Sequence, residues 1–253
     1  MFNIALNTFR EIVRNKFLYL ILFFSFIFIL FSVSLGKLSL GEDSKIIIDF
    51  GLAMIEFFGL IGVLFVGSQL LFNEVNGKTI FLILSKPIKR YEFILGKFFG
   101  FSLVILLLVI FESLVFSSVL LFKSVALTKL IGFSLIFILL KLEVLLALVL
   151  FFSTFMSNIL TILVTVFIYF ISHGFTIILD LATRTRNEFI INSVKGVDLL
   201  FPPFEAMNLK DMIGGIVGVT NTYLLSNLAY ALGYLTIILF FTVILFNRKT
   251  FER

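Results

Sequence analysis

Long apolar runs separated by short polar segments dominate the chain. Five such runs can be delimited directly, at 17–35, 50–72, 98–122, 158–179 and 224–246. Each is close to or above the roughly 20 residues that an α-helix needs to cross the hydrocarbon core of a bilayer. The pattern therefore predicts at least five membrane-spanning helices.

The middle of the chain requires one further division. Residues 144–179 contain no Asp, Glu, Lys or Arg, and a single helix of this length would be about 54 Å long. That is too long for one span and too short for two. A turn at "STFMSN" (153–158) resolves the difficulty, because Ser, Thr and Asn side chains can satisfy backbone groups there. A fourth span at 131–152 then precedes the fifth, and the fold class is an all-α membrane protein with six spans.

Residues 1–16 precede the first span and have a helical pattern of their own. Phe2, Leu6, Phe9 and Val13 recur at helical spacing, while the basic residues fall mainly on other positions. We expect an interfacial helix here; the alternative is a basic flank of the first span. The 19-residue run at 17–35 is longer than the apolar core of a signal peptide, so an uncleaved first span is expected.

Composition supports the same class of protein. Of 253 residues, 60% are hydrophobic and 14% are charged, and the mean hydropathy is +1.19. A soluble domain has roughly 25% charged residues. The chain has no cysteine and one histidine, which excludes disulfides, cysteine-based metal sites and zinc motifs built on a histidine pair. We therefore expect neither a metal site nor a cofactor in this chain.

The distribution of Lys and Arg predicts the orientation. With the N-terminus inside, the inner segments are 1–16, 73–97, 153–157 and 247–253, and they carry eleven basic and four acidic residues, a net charge of +7. The outer segments carry eight of each, a net charge of zero. Basic residues concentrate in cytoplasmic loops, so both termini are predicted to be cytoplasmic.

The only long outer segment predicted is 180–223. It contains a Pro-Pro pair and a short helix signal in "FPPFEAMNLKDMIGG" (201–215). The apolar stretch "MIGGIVGVT" (212–220) is too short to span, and we expect it to form a re-entrant element before the last span.

The inner segment 73–97 contains "GKT", which invites comparison with a phosphate-binding loop. That motif needs a glycine five residues before its second glycine, and here the position is Phe72. It must also follow a core β-strand, whereas this segment follows an apolar span. The chain is therefore predicted not to be an ATPase or any other enzyme.

What the segment does offer is an apolar run followed by a basic cluster, which is typical of a docking surface. Its sequence "EVNGKTIFLILSKPIKRYEFILGK" (74–97) resembles the first cytoplasmic loop of type 2 ABC transporter permeases. "TFREIVRNK" (8–16) resembles the elbow helix of that family, and "LFFSTFMSN" (150–158) resembles its turn between spans four and five. A loop without a partner is the alternative.

The resemblance implies a membrane subunit of an exporter, in which a coupling helix at 74–92 docks on a separate ATPase that holds ATP and Mg²⁺. It also implies a second permease chain, identical or different, contact with lipid, no nucleic acid, and a multi-pass location in a prokaryotic cytoplasmic membrane. The residues expected to form the docking surface are Glu74, Gly77, Thr79, Ser85, Lys86, Pro87, Lys89 and Arg90. The transported substrate does not follow from the resemblance.

Five ionisable residues fall inside the predicted spans, namely Glu56, Glu112, Lys141, Glu143 and His173. A charge in the membrane is expensive, so each is a candidate for function. Glu112 and Lys141 share a depth of about 15 Å from the outer ends of consecutive spans, and we expect them to form an ion pair. The five groups either line a polar path for substrate or serve packing.

These residues also support a different class of function. A proton-coupled carrier or channel subunit using Glu112 and Lys141 would need no ATPase, and a membrane scaffold would need no transport activity. An intramembrane hydrolase is disfavoured, because Ser172 and His173 are neighbours on a helix and do not face each other.

Overall fold

The computed structural model describes residues 1–38, 41–76, 89–213 and 220–249. These residues form helices and contain no β-strand. Among the described residues, six helical segments are long and apolar enough, by length and composition, to cross a membrane. Each encloses one of the apolar segments delimited in the sequence.

The first part of the chain folds as α1 (Phe2–Val13), α2 (Lys16–Lys37) and α3 (Asp43–Gly62). A π-helical turn at Val63–Gly67 joins α3 to α4 (Ser68–Asn76), so that Asp43–Glu74 is one continuous candidate span. The second part contains α5 (Arg90–Phe122), α6 (Lys129–Ser153), α7 (Asn158–Arg184), α8 (Glu188–Asp198) and α9 (Asn221–Arg248).

α6 is the central helix of the bundle. Its residues 144–150 are consecutive and all at most 2% exposed, so this part of the helix is covered on every side. A helix that is apolar all round is one that neighbours enclose. α7 and α9 are the least buried of the six spans, and their outward side chains are large and apolar, as expected where a helix faces lipid.

Several contacts place the two ends of the described chain at the same end of the bundle, here called the terminal end. α1 packs on the beginning of α5, Arg90 bonds to carbonyl groups at the end of α9, and Lys249 donates to the carbonyl of Thr154 in the α6–α7 turn (2.6 Å). The opposite end, here called the loop end, carries the segment between α7 and α9. Which side of the membrane each end faces remains a prediction from the Lys/Arg distribution.

The segment between α7 and α9 differs from the expected long loop. α7 continues to Arg184, and α8 follows immediately as a further helix that the sequence reasoning did not predict. Its local signal is Asn187, whose side chain accepts a hydrogen bond from the backbone of Phe189 (3.0 Å), as an N-cap does. A single 3₁₀ turn forms at Lys210–Met212. Most of the expected re-entrant element lies outside the described residues.

The N-terminal helix α1 is held by close backbone approach. Ala5, Thr8 and Ile12 are its buried residues. Ala5 and Thr8 lie against Gly100 at the beginning of α5, and Met1 and Ile4 lie against Gly96. A Cβ atom on Gly100 would lie 2.5 Å from the carbonyl oxygen of Ala5. The spacing of the two glycines, four residues apart, puts them on one face of α5.

We expect Gly100→Ala to displace α1 and to lower the free energy of unfolding by about 1–3 kcal/mol, because the added methyl group meets backbone that cannot yield locally. Gly132→Ala is the matched control: this glycine is also helical, but it is exposed, and a Cβ there meets nothing within 4 Å. Thermal unfolding of both variants in detergent measures the difference. Equal stability of the two would show that α1 does not need this contact.

Candidate functional site

The structure brings three of the five intramembrane ionisable residues together. Glu56 on α3, Lys141 on α6 and His173 on α7 meet between the three helices. Tyr169 of α7 and Lys210 of the 3₁₀ turn complete the group, which is called the Glu56 cluster below. Glu56 and Lys141 are only 3% and 2% exposed, so their charges are compensated by each other rather than by solvent.

The carboxylate of Glu56 is the centre of this cluster. Its Oε1 accepts hydrogen bonds from Lys141 Nζ (2.6 Å) and from the Tyr169 hydroxyl (2.8 Å). Its Oε2 accepts from Lys210 Nζ (2.5 Å). One carboxylate therefore links α3, α6, α7 and the segment before α9 at a single point.

His173 adds an acceptor to the cluster. Its Nδ1 lies 2.9 Å from the backbone carbonyl oxygen of Tyr169, which can only accept, so Nδ1 carries the proton. Nε2 then presents a lone pair to Lys141 Nζ at 3.2 Å. Phe204 covers the ring, with 5.9 Å between centroids. The ammonium of Lys141 thus donates to both a carboxylate and an imidazole.

The expected ion pair between Glu112 and Lys141 is wrong. Lys141 pairs with Glu56 instead, and no hydrogen bond or ion pair joins it to Glu112. The depth along the membrane normal was compatible with the pairing, but depth does not fix the rotation of a helix about its axis. Glu112 faces the Ser25 hydroxyl of α2, whereas Lys141 faces α3 and α7.

Glu143 lies on the other side of α6 from Lys141, because of the direction in which each residue leaves the helix axis. Two residues along a helix differ by about 200° in direction, and Glu143 accordingly points to α5, where Ser102 donates to it (2.8 Å). Neither carboxylate oxygen of Glu112 forms a hydrogen bond of normal geometry with the described residues. Glu112 and Glu143 therefore do not belong to the Glu56 cluster.

Tyr169 and Lys210 are the members that sequence reasoning missed. A local signal existed for Tyr169, because it precedes His173 by four residues and so shares its helix face. No local signal pointed to Lys210, which lies 154 residues after Glu56 in the sequence. Only the return of the segment before α9 onto the bundle places it there.

Of the expected docking residues, Gly77, Thr79, Ser85, Lys86 and Pro87 lie outside the described residues, while Glu74, Lys89 and Arg90 lie within them. Glu74 is at the entry of the loop, where its Oε1 is 2.5 Å from Lys97 Nζ. Lys97 also lies 3.4 Å from Glu11 Oε2 of α1 and is 3% exposed. The loop entry is thus tied to α1 and α5.

Arg90 anchors the exit of the loop. Its guanidinium donates to the carbonyl groups of Phe246 (3.2 Å), Asn247 (2.9 Å) and Lys249 (2.9 Å). The last carbonyl groups of a helix have no partner within it, so Arg90 serves as a C-terminal cap of α9. Phe93 stacks on Phe246 beside this cap, with 5.4 Å between ring centroids.

Lys89 is the exposed member of the three described docking residues. It is the N-cap of α5, where its backbone N–H donates to the side chain of Glu92 (3.2 Å). Its ammonium lies 5.7 Å from the centroid of the Tyr91 ring. The Lys89 side chain therefore remains accessible at the terminal end of the bundle.

Within the ranges that the structure describes, no three His, Asp or Glu side chains are grouped so that they could hold a metal ion. The chemistry of the Glu56 cluster is that of hydrogen bonding and charge compensation. It contains two ammonium groups and one carboxylate.

The sequence model of the family described as ABC-2 family transporter protein matches residues 2–251. No curated protein is similar enough to count as a match.

We expect Glu56→Gln to lower the free energy of unfolding by about 3–5 kcal/mol, because two ammonium groups lose the carboxylate they share. Lys141→Met should cost less, since Glu56 keeps Lys210. Adding Lys141→Met to Glu56→Gln should recover part of the loss by removing a buried charge. Thermal unfolding in detergent measures this coupling.

Lys141→Met combined with Glu112→Gln is the control. Because no contact joins these two groups, their effects should add to within about 0.5 kcal/mol. A rescue of Lys141→Met by Glu112→Gln, without coupling between positions 56 and 141, would contradict the Glu56 cluster.

Proposed function

The chain belongs to the ABC-2 family of transporter proteins, and we propose that it is the permease subunit of an exporter driven by a separate ATPase. The ATPase would hold ATP and Mg²⁺ and would dock on the coupling loop, residues 74–92. A second permease chain, identical or different, would complete the transporter. Its expected location is a prokaryotic cytoplasmic membrane.

The observation that carries this proposal is the anchoring of the coupling loop at both of its ends. Glu74 at the entry is tied through Lys97 to α1 and α5. Arg90 at the exit is tied to the end of α9. A displacement of the loop by a docked protein would therefore be transmitted to three helices at once. This is the mechanical connection that a permease without its own ATPase requires.

The charges of the loop suggest what kind of surface it meets. Both acidic residues at its ends have partners within the chain: Glu74 pairs with Lys97, and Glu92 accepts from the backbone of Lys89. Besides Arg90, the remaining charged residues of the loop are Lys78, Lys86 and Lys89, all of them basic. We infer an acidic surface on the ATPase, because opposite charges steer association and fix its register.

We infer that the Glu56 cluster has a structural role in the transporter. It joins the segment before α9 to α3, α6 and α7, so it can keep the loop end closed while the terminal end moves. The alternative of a proton-coupled carrier relied on Glu112 and Lys141 acting together, and these two groups are not in contact. The carrier is therefore not favoured.

We expect Lys86→Glu combined with Lys89→Glu to abolish recovery of the ATPase when the tagged chain is purified gently from its native membrane. Mass spectrometry identifies the ATPase. The control is Lys129→Glu with Lys195→Glu, which reverses two exposed lysines near the loop end. If the ATPase is recovered equally with both double variants, it docks elsewhere on the chain. If no ATPase is recovered with the unaltered chain, even after cross-linking in the membrane, the proposal is contradicted.

Arg90→Gln should have a different effect from reversal of the two lysines. We expect the ATPase to be recovered, but the end of α9 to loosen and the free energy of unfolding to fall by about 1.5–3 kcal/mol, since hydrogen bonds from a charged donor are lost. Because the chain has no cysteine, spin labels at Lys89→Cys and Arg248→Cys report this directly. A distance distribution unchanged by Arg90→Gln would show that Arg90 does not couple the loop to α9.

A further inference from the structure

A cavity of about 440 Å³ lies at the loop end, between α7, the segment 198–212 and the beginning of α9. This size is within the range of sites that bind small organic molecules. Its aromatic walls are formed by Phe175, Phe201, Tyr223 and Tyr230. The cavity lies beside the Glu56 cluster, because its wall segment 198–212 also carries Phe204, whose ring stacks on His173, and Lys210, which bonds to Glu56.

The walls of the cavity are fixed by hydrogen bonds on both sides. Ser172 donates to the carbonyl of Pro202 from α7. From α9, Asn227 donates to the carbonyl of Ala206 (3.0 Å) and Tyr234 donates to that of Leu200 (3.0 Å). Lys210 adds its bond to Glu56 at the end of the same segment. The cavity is thus a preformed space.

The charges of the wall indicate which ligand fits. Asp198 and Glu205 are the ionisable acids of the lining, and the described lining contains no Lys, Arg or His. Asp198 interacts electrostatically with Tyr230, one of the aromatic walls. Lys141 and Lys210, which lie behind the wall, both form ion pairs with Glu56. Glu205 also interacts electrostatically with Lys141.

These features exclude two classes of ligand. An anion would meet two carboxylates and no basic group among the described lining residues. A purely apolar ligand would remove water from Asp198 and Glu205 without compensating their charge, which is costly. Aromatic faces and carboxylates together attract an organic cation, through its charge and through the ring quadrupoles.

We propose that this cavity binds an amphipathic organic cation. Such cations would then be the class of substrate that the exporter carries, so this inference rests on the proposed function. Apolar groups of the ligand would contact the aromatic walls, and its positive charge would face Asp198 and Glu205. The position at the loop end, away from the coupling loop, makes this a site on the side opposite to ATPase docking.

The test is binding of tetraphenylphosphonium to the purified chain in uncharged maltoside micelles, measured by equilibrium dialysis. Tetraphenylborate, which has nearly the same size and shape but a negative charge, is the matched ligand. We expect saturable binding of the cation at one site and none of the anion. Absence of saturable cation binding, or equal binding of both ions, would overturn the proposal.

Variants assign the binding to this cavity. Asp198→Asn combined with Glu205→Gln should weaken cation binding about tenfold or more, and Ala206→Phe should abolish it by filling the space. Asp180→Asn is the control, because Asp180 is an exposed carboxylate at the same end that pairs with Arg184 and does not line the cavity. Binding that all of these variants leave unchanged would overturn the assignment. Gel filtration shows which variants remain folded.

Two further features of the assay distinguish a lipid headgroup from a free cation, and failure of the cavity from failure of ATPase docking. Competition by a short-chain phosphatidylethanolamine, and not by the corresponding phosphatidylglycerol, would support the site and identify the ammonium of a lipid headgroup as its ligand. The assay uses the permease without ATPase. Failure of cation binding therefore leaves the docking proposal standing, and failure of ATPase recovery leaves the cavity standing.

Discussion

The carboxylate of Glu56 is the interaction on which the architecture of the loop end depends. It is buried among apolar helices, where an uncompensated charge would be expensive, and it receives Lys141 from α6, Tyr169 from α7 and Lys210 from the segment before α9. Four parts of the chain must therefore stay in register for one charge to remain satisfied. Any rearrangement of this end has to preserve a partner for Glu56, which restricts the motions that the bundle can make.

The terminal end is organised by two other polar anchors, and α6 connects the two ends. Lys97 joins α1, α4 and α5, and Arg90 holds the end of α9. α6 carries Lys141 of the Glu56 cluster, and the turn that follows it accepts a hydrogen bond from Lys249. Because residues 144–150 of α6 are enclosed on every side, a shift of this part of the helix cannot be absorbed locally. If the ATPase docks as proposed, a displacement of the coupling loop would thus reach the loop end through packed helices.

The residues expected to be functional differ in how far sequence could place them. The rise per residue of a helix predicts the depth of Glu112 and Lys141 in the membrane, and their equal depth suggested an ion pair. Their actual neighbours depend on how each helix is rotated about its axis, and the structure places Ser25 beside Glu112 and Glu56 beside Lys141. Arg90 was expected at the docking surface because of its position in a basic cluster. Its guanidinium caps α9, a contact across 156 to 159 residues of sequence that no local pattern reveals.

The sequence by itself determined the class of the protein, the segments long enough to cross a membrane, the helix before the first of them and the resemblance to ABC-2 permeases. These follow from local quantities, because the length of an apolar run and the thickness of a bilayer can be compared without knowing any contact. Tertiary structure alone decided which buried charges pair and where the aromatic cavity lies. The partners of Glu56 come from positions 85, 113 and 154 residues further along the chain. Their meeting depends on the rotation and packing of helices, which hydropathy does not encode.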